Sequence, residues 1–135
     1  MENEIDFRTR EFGTFAGLIG LHFTAKANGC SQCVLTVTRN LFNPNGVLHG
    51  GVVYSMADTG MGGALYSSLA EDETCATIEI NIVYLKAVRG GLLTCNTKLL
   101  RKGRSIGVLE SDVENDGQLV AKALGTFSIL KRRDA

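Results

Sequence analysis

Apolar and polar residues alternate along most of this chain, and the alternation breaks once, in the middle. From Leu18 to Ala27, Ile19, Leu21, Phe23 and Ala25 fall on one side while His22, Thr24 and Lys26 fall on the other. That period of two is a strand with one buried face. Asn28-Gly29 follows, a pair suited to a tight hairpin turn, so Ser31 to Arg39 is read as the returning strand with Cys33, Leu35 and Val37 on the core side. His22 is an outward imidazole on this reading. Alternation resumes at Thr77, where Ile78, Ile80, Ile82 and Tyr84 share one face and Thr77, Glu79, Asn81 and Val83 the other. Arg89-Gly90-Gly91 ends that strand. Three more are predicted at Leu92 to Leu100, Ser105 to Glu114 and Leu119 to Leu130, separated by turns at Lys102-Gly103 and Asn115-Asp116-Gly117. Residues 1 to 16 are polar with scattered rings (Phe7, Phe12, Phe15), and a short helix packed through those rings is expected there.

The break lies between a loop, Asn43-Pro44-Asn45-Gly46, and the charged turn Glu71-Asp72-Glu73. From Val52 onward apolar and small residues fall on every face, which predicts a buried helix of about 20 residues, opening at His49-Gly50-Gly51. The order is two strands, one helix, four strands. Short turns between neighbouring strands require antiparallel pairing. The expected fold is therefore α+β, a single domain over residues 1–135 with an antiparallel sheet wrapped around one helix.

Charge narrows the choice of partner. Fourteen basic and fourteen acidic residues cancel, and no basic block precedes the Lys131-Arg132-Arg133 tail, so there is no electrostatic footprint for nucleic acid. The acidic start, Met1 to Asp6, does not read as a signal peptide, and no long apolar run free of glycine and charge reads as a membrane span; a soluble cytoplasmic protein is expected. Cys30 and Cys33 form a C-x-x-C, but residues three apart in a strand face opposite sides, and Cys75 and Cys95 make no second close pair. Ordinary thiols fit better than a metal site.

Between Arg39 and Glu71 only one side chain, Asp58, is charged, in a chain that is 21% charged overall. A carboxylate on a helix of this kind is poorly solvated, which suits a general base or a nucleophile. It shares its helical face with Tyr54, Met61, Gly62 and Leu65. At the start of the helix, backbone N–H groups lack intrahelical partners, and Gly50 and Gly51 let another molecule come close to them. A carbonyl oxygen that becomes an oxyanion during acyl transfer would be stabilised at Gly50 N–H by about 3 kcal/mol. Glycines at this place also serve a tight loop, and an aspartate can serve a structural hydrogen bond. Gly50 and Asp58 lie eight residues apart, about 12 Å along a helix, too far to act on one small centre. If both are catalytic they come from different chains, across a two-fold axis that pairs antiparallel helices in a homodimer.

At Asn43-Pro44-Asn45-Gly46-Val47-Leu48-His49-Gly50-Gly51, with Met56-Ala57-Asp58 behind it, the sequence resembles the hotdog-fold acyl-CoA thioesterases of the phenylacetic-acid-degradation type. The strand Thr77 to Leu85 and the segment Val120 to Phe127 are similar to that family as well. The resemblance implies dimers that join sheets edge to edge and tetramers built as dimers of dimers. It implies that Gly50 offers its amide to the thioester carbonyl and that Asp58 of the opposite subunit activates water or attacks. Asn43 and His49 would line the same pocket, and a family hydroxyl falls on Thr77. Tyr54, Met61, Leu65 and Tyr66 would hold an aryl or aliphatic acyl group. Arg101, Lys102 and Arg104, in a hairpin turn, would meet the phosphates of coenzyme A.

The expected reaction is hydrolysis of an acyl-CoA thioester to free acid and CoA, with no metal and no cofactor beyond the CoA of the substrate. One rival is a hotdog hydratase or dehydratase of 3-hydroxyacyl thioesters, with His49 and Asp58 as the acid-base pair. The other is a non-catalytic acyl-CoA binding module. Thiol release separates the hydrolase from both.

Overall fold

A computed structural model describes residues 14–133. Its elements are α1 (Phe15–Ile19), β1 (His22–Ala27), β2 (Cys30–Thr36), a short 3-10 turn (Arg39–Leu41), α2 (Gly50–Tyr66), β3 (Glu73–Tyr84), β4 (Leu92–Lys102), β5 (Ile106–Asn115) and β6 (Gln118–Lys131). All six strands form one antiparallel sheet in the order β1-β2-β4-β5-β6-β3. The predicted hairpin turns form as read. Asn28 and Gly29 both have positive φ, as do Asp116 and Gly117, the conformation that lets a two-residue turn follow the twist of its strands.

The sheet curves around α2. The first half of the helix, Val52, Val53 and Met56, packs on Leu35, Leu93, Val113 and Val120, and the second half, Ala57, Met61, Ala64 and Leu65, on Leu109, Ala123 and Phe127. Each fully buried leucine among these contributes about 1.5–3 kcal/mol by leaving water. Backbone approach is close where the strands carry glycine: a Cβ at Gly107 would touch Leu65, and one at Gly125 would overlap Met61.

Several expectations need correction. The segment Leu18 to Leu21 is not strand. Residues 15–19 form a helix, capped by the Thr14 hydroxyl at its start and by left-handed Gly20 at its end, and β1 begins only at His22. Phe15, expected to pack, is exposed, while Phe7 and Phe12 lie outside the described residues. The charged turn before β3 is shorter than read, because Glu73 already pairs with Lys131 in the β3–β6 ladder. And α2 is not covered all round. Gly51, Tyr54, Ser55, Asp58 and Gly62, spaced as one helical stripe, are only half-buried or exposed. A single curved layer reaches around part of a cylinder and leaves the rest open.

The alternation in β3 holds only after an irregularity. Register jumps between Thr77 and Glu79, so Ile78 is an extra residue bulged from the edge strand. A one-residue insertion swaps the two faces. Before it Cys75 and Thr77 face the helix; after it Ile80, Ile82 and Tyr84 do, and Ile78 is exposed.

In β2 the C-x-x-C divides as its spacing required: Cys30 is exposed and Cys33 fully buried, opposite buried Cys95 on β4. None of the four cysteines is in a disulfide.

Candidate active site

The loop before α2 is a small built object. Asn43 Oδ1 accepts from Asn45 N (2.9 Å) and Val47 N (3.5 Å), and the chain closes on itself through Asn43 N to Val47 O (2.8 Å). Asn43 is thus the keystone of its own turn, the loop-steadying half of its expected role. His49 caps the helix: its Nδ1 accepts from Gly51 N at 2.8 Å. An accepting Nδ1 leaves the ring proton on Nε2, so the free edge of His49 is a donor. The ring lies so near Gly51 that a Cβ there would sit 2.9 Å from Nδ1. Val52 N donates to His49 O at 3.0 Å. Among the described residues this leaves the Gly50 N–H without an acceptor, at the positive end of a 17-residue helix.

Gly50 also lines a cavity of about 350 Å³, together with Leu48, Val53, Tyr84, Leu85 and Val88, with Lys86 and Ala87 completing the wall. Tyr84 donates its hydroxyl to Gly50 O at 2.7 Å. Burial, and then the neighbouring Tyr54, push the Tyr84 phenol above its ordinary range, so it stays a donor.

Asp58 sits midway along the open stripe of α2. Thr77 Oγ1 donates to its Oδ1 at 2.6 Å, and among the described residues Oδ2 meets no donor. Half-buried Cys75 lies beside it: burial, and secondarily the charge of Asp58, raise that thiol. One carboxylate oxygen is tethered and the other is open, an arrangement that can accept a proton from water.

Residues 45–122, more than half of the chain, match the thioesterase superfamily. The chain belongs to that superfamily. A 1,4-dihydroxy-2-naphthoyl-CoA hydrolase of Listeria monocytogenes is 28% identical over 116 residues, 85% of this chain and 94% of that protein. A conserved protein of Pseudomonas aeruginosa superposes with a TM-score of 0.85 at 34% identity, over 91% of this chain and 97% of its own. A phenylacetic acid degradation-related protein of Ralstonia eutropha gives 0.78 at 28%, over 84% and 87%. The hotdog architecture is thereby shown, and membership in the superfamily supports a thioester hydrolase.

In this superfamily member Gly50, Gly51, His49 and Asn43 fall together at one end of α2, and Asp58 and Thr77 together near its middle. One chain does not join the two groups. Of the expected acyl pocket, Tyr54 is on the open stripe, but Met61 and Leu65 are fully buried between helix and sheet. Helical spacing put them beside Asp58; the inner strands β5 and β6 cover that flank of the helix. Tyr66 lies at the far end of α2 with the Arg132 guanidinium over its ring. Arg101, Lys102 and Arg104 are exposed at the β4–β5 turn, near the last turn of α2 where Gly107 meets Leu65. That is roughly 22 Å of helix from Gly50, so they do not border the Gly50 cavity of their own chain. Lys102 faces Glu73 at 3.6 Å. Tyr84 was missed as a neighbour of Gly50, because an aromatic at the end of an alternating strand reads as core. Among the described residues no helix is long and apolar enough to cross a membrane.

Thr77→Val is expected to lower kcat by about 10- to 100-fold, the worth of a hydrogen bond to a charged group, and Thr77→Ser to keep most of it. Steady-state rates of both variants check this.

Proposed function

We propose that the protein hydrolyses an acyl-CoA thioester in a site shared by two chains. The observation that carries this reading is the open stripe of α2, on which an anchored carboxylate lies eight residues from a helix N-terminus with an uncommitted amide. Two such stripes packed antiparallel set Gly50 of one chain near Asp58 of the other. The outer edge of β3 supports the same dimer: it is unpaired in one chain, and the strand exposes Ile78 and Val83, followed by exposed Leu85, a surface that folded proteins rarely leave bare.

The acyl body lies in the cavity walled by Leu48, Val53, Tyr84 and Val88, with its carbonyl oxygen toward Gly50 N–H. Asp58 Oδ2 takes a proton from water as the water oxygen bonds to the carbonyl carbon. Negative charge collects on the carbonyl oxygen and is stabilised by the Gly50 amide. Collapse breaks the carbon–sulfur bond, releasing free acid and the CoA thiolate, which takes the proton held by Asp58 and returns the carboxylate to its starting state. The basic β4–β5 turn, remote from Gly50 in its own chain, comes to the partner's Gly50 end in this pairing, where it meets CoA phosphates. His49 argues against the hydratase: with Nδ1 committed to Gly51, its outward nitrogen donates and is not a base.

Aryl-acetyl, benzoyl and straight-chain acyl-CoAs are the substrates to try side by side, reading free thiol and the acyl product. Stoichiometric thiol and carboxylic acid are expected from at least one. Binding without turnover, or a changed acyl double bond without thiol, would overturn the proposal.

A further inference from the structure

Two adjacent glycines are a poor foundation for a catalytic amide, because neither has a Cβ to restrict its backbone. In this chain the restriction is supplied from outside. The peptide joining Gly50 to Gly51 is held on both edges: its carbonyl accepts from Tyr84 Oη at 2.7 Å, and its N–H donates to His49 Nδ1 at 2.8 Å. The preceding peptide, which carries the Gly50 N–H, is held at its carbonyl by Val52 N at 3.0 Å. The Tyr84 ring also lies flush on Gly50, where a Cβ would come within 3.2 Å of Cζ and 3.3 Å of the hydroxyl. Sequence spacing alone would not place this tyrosine. Thr77 and Tyr84 are seven apart, an odd number that puts them on opposite faces of a regular strand, and the bulge at Ile78 brings both onto the helix side.

We propose that Tyr84 is a positioning residue for the reaction: its hydroxyl and ring lock the Gly50–Gly51 peptide, which limits rotation at Gly50 and so holds the neighbouring Gly50 N–H in one direction. Tyr84 itself does not touch the reacting atoms. This rests on the reading of Gly50 as the donor to the thioester oxygen. It goes beyond that reading in assigning the edge strand β3 a double task, with Thr77 orienting the carboxylate and Tyr84 orienting the amide. A donor aimed in advance stabilises charge that develops only in the transition state, so losing the lock affects turnover more than binding.

The test is Tyr84→Phe, which keeps the ring and removes only the hydroxyl from a half-exposed position. Expected are a kcat lowered by about tenfold, a KM within about twofold of the parent and an unchanged melting temperature. In parallel, amide hydrogen exchange followed by NMR is expected to quicken at Gly51, whose N–H is bonded to His49 Nδ1, with core strand amides unchanged. A parent-like kcat with parent-like exchange overturns the proposal, as does a raised KM at constant kcat, which would make Tyr84 only a pocket wall. If the parent hydrolyses no thioester, the proposed function fails separately, and exchange at Gly51 still decides whether Tyr84 holds the peptide.

Discussion

The Asp58→Asn protein is expected to hydrolyse acyl-CoA about 10²–10⁴-fold more slowly than the parent, at a nearly unchanged melting temperature. The amide matches the carboxylate in shape, and its oxygen can still accept the Thr77 hydroxyl that Asp58 Oδ1 accepts at 2.6 Å. What disappears is basicity at the open oxygen. Asp58 stands on the uncovered stripe of α2, outside the apolar packing of Met56, Ala57, Met61 and Leu65, so its replacement leaves no cavity. A stopped assay of free thiol beside a thermal melt checks both halves. Activity within twofold of the parent would remove Asp58 from the chemistry.

Mixing two dead proteins should produce a live one. Gly50→Pro deletes the N–H and little else: Gly50 is the first residue of α2, where proline is well tolerated, and His49 at φ −64°, ψ 131° already has the extended backbone a following proline requires. The Tyr84 ring, which a Cβ would approach to 3.2 Å, must yield by a few tenths of an ångström. Loss of the donor is expected to cost about 10²–10³-fold in kcat. Combined with Asp58→Asn by unfolding and refolding together, half the dimers are hybrids, and each hybrid rebuilds one intact site from the good Gly50 of one chain and the good Asp58 of the other. About one quarter of parental activity should return. Each variant refolded alone should stay inactive. No recovery in hybrids of demonstrated composition would place both groups' work within single chains and dissolve the shared site.

Much of this molecule was legible as pattern. The period of two marked the strands, Asn28-Gly29 and Asn115-Asp116-Gly117 marked the turns, and the uncharged run around Asp58 marked the helix, since each is a local preference that the fold had no reason to oppose. Asp58 stood out for the same local reason, as the lone charge in an otherwise uncharged run, although the structure places it on the open stripe of α2. The beginning of β1 was misread because Gly20 can end a helix as readily as it interrupts a strand, and the choice rested on Thr14 and Gly20 capping a single short turn. Strand order was not legible. β3 is hydrogen-bonded to β6 at one edge although β4 follows it in sequence, and only the packing of the whole sheet on α2 selects that neighbour.

By itself, then, the amino-acid order determined the elements, their antiparallel character, the capped glycine start of α2 and the isolated acid, all consequences of interactions between residues close in the chain. Tertiary structure alone decided which side chains meet. The bulge at Ile78, created by the ladder between β3 and β6, reverses the parity of the edge strand and delivers Thr77 to Asp58 and Tyr84 to Gly50. A period of two cannot foresee one inserted residue, because the cost of the insertion is repaid by a partner strand more than 40 positions away.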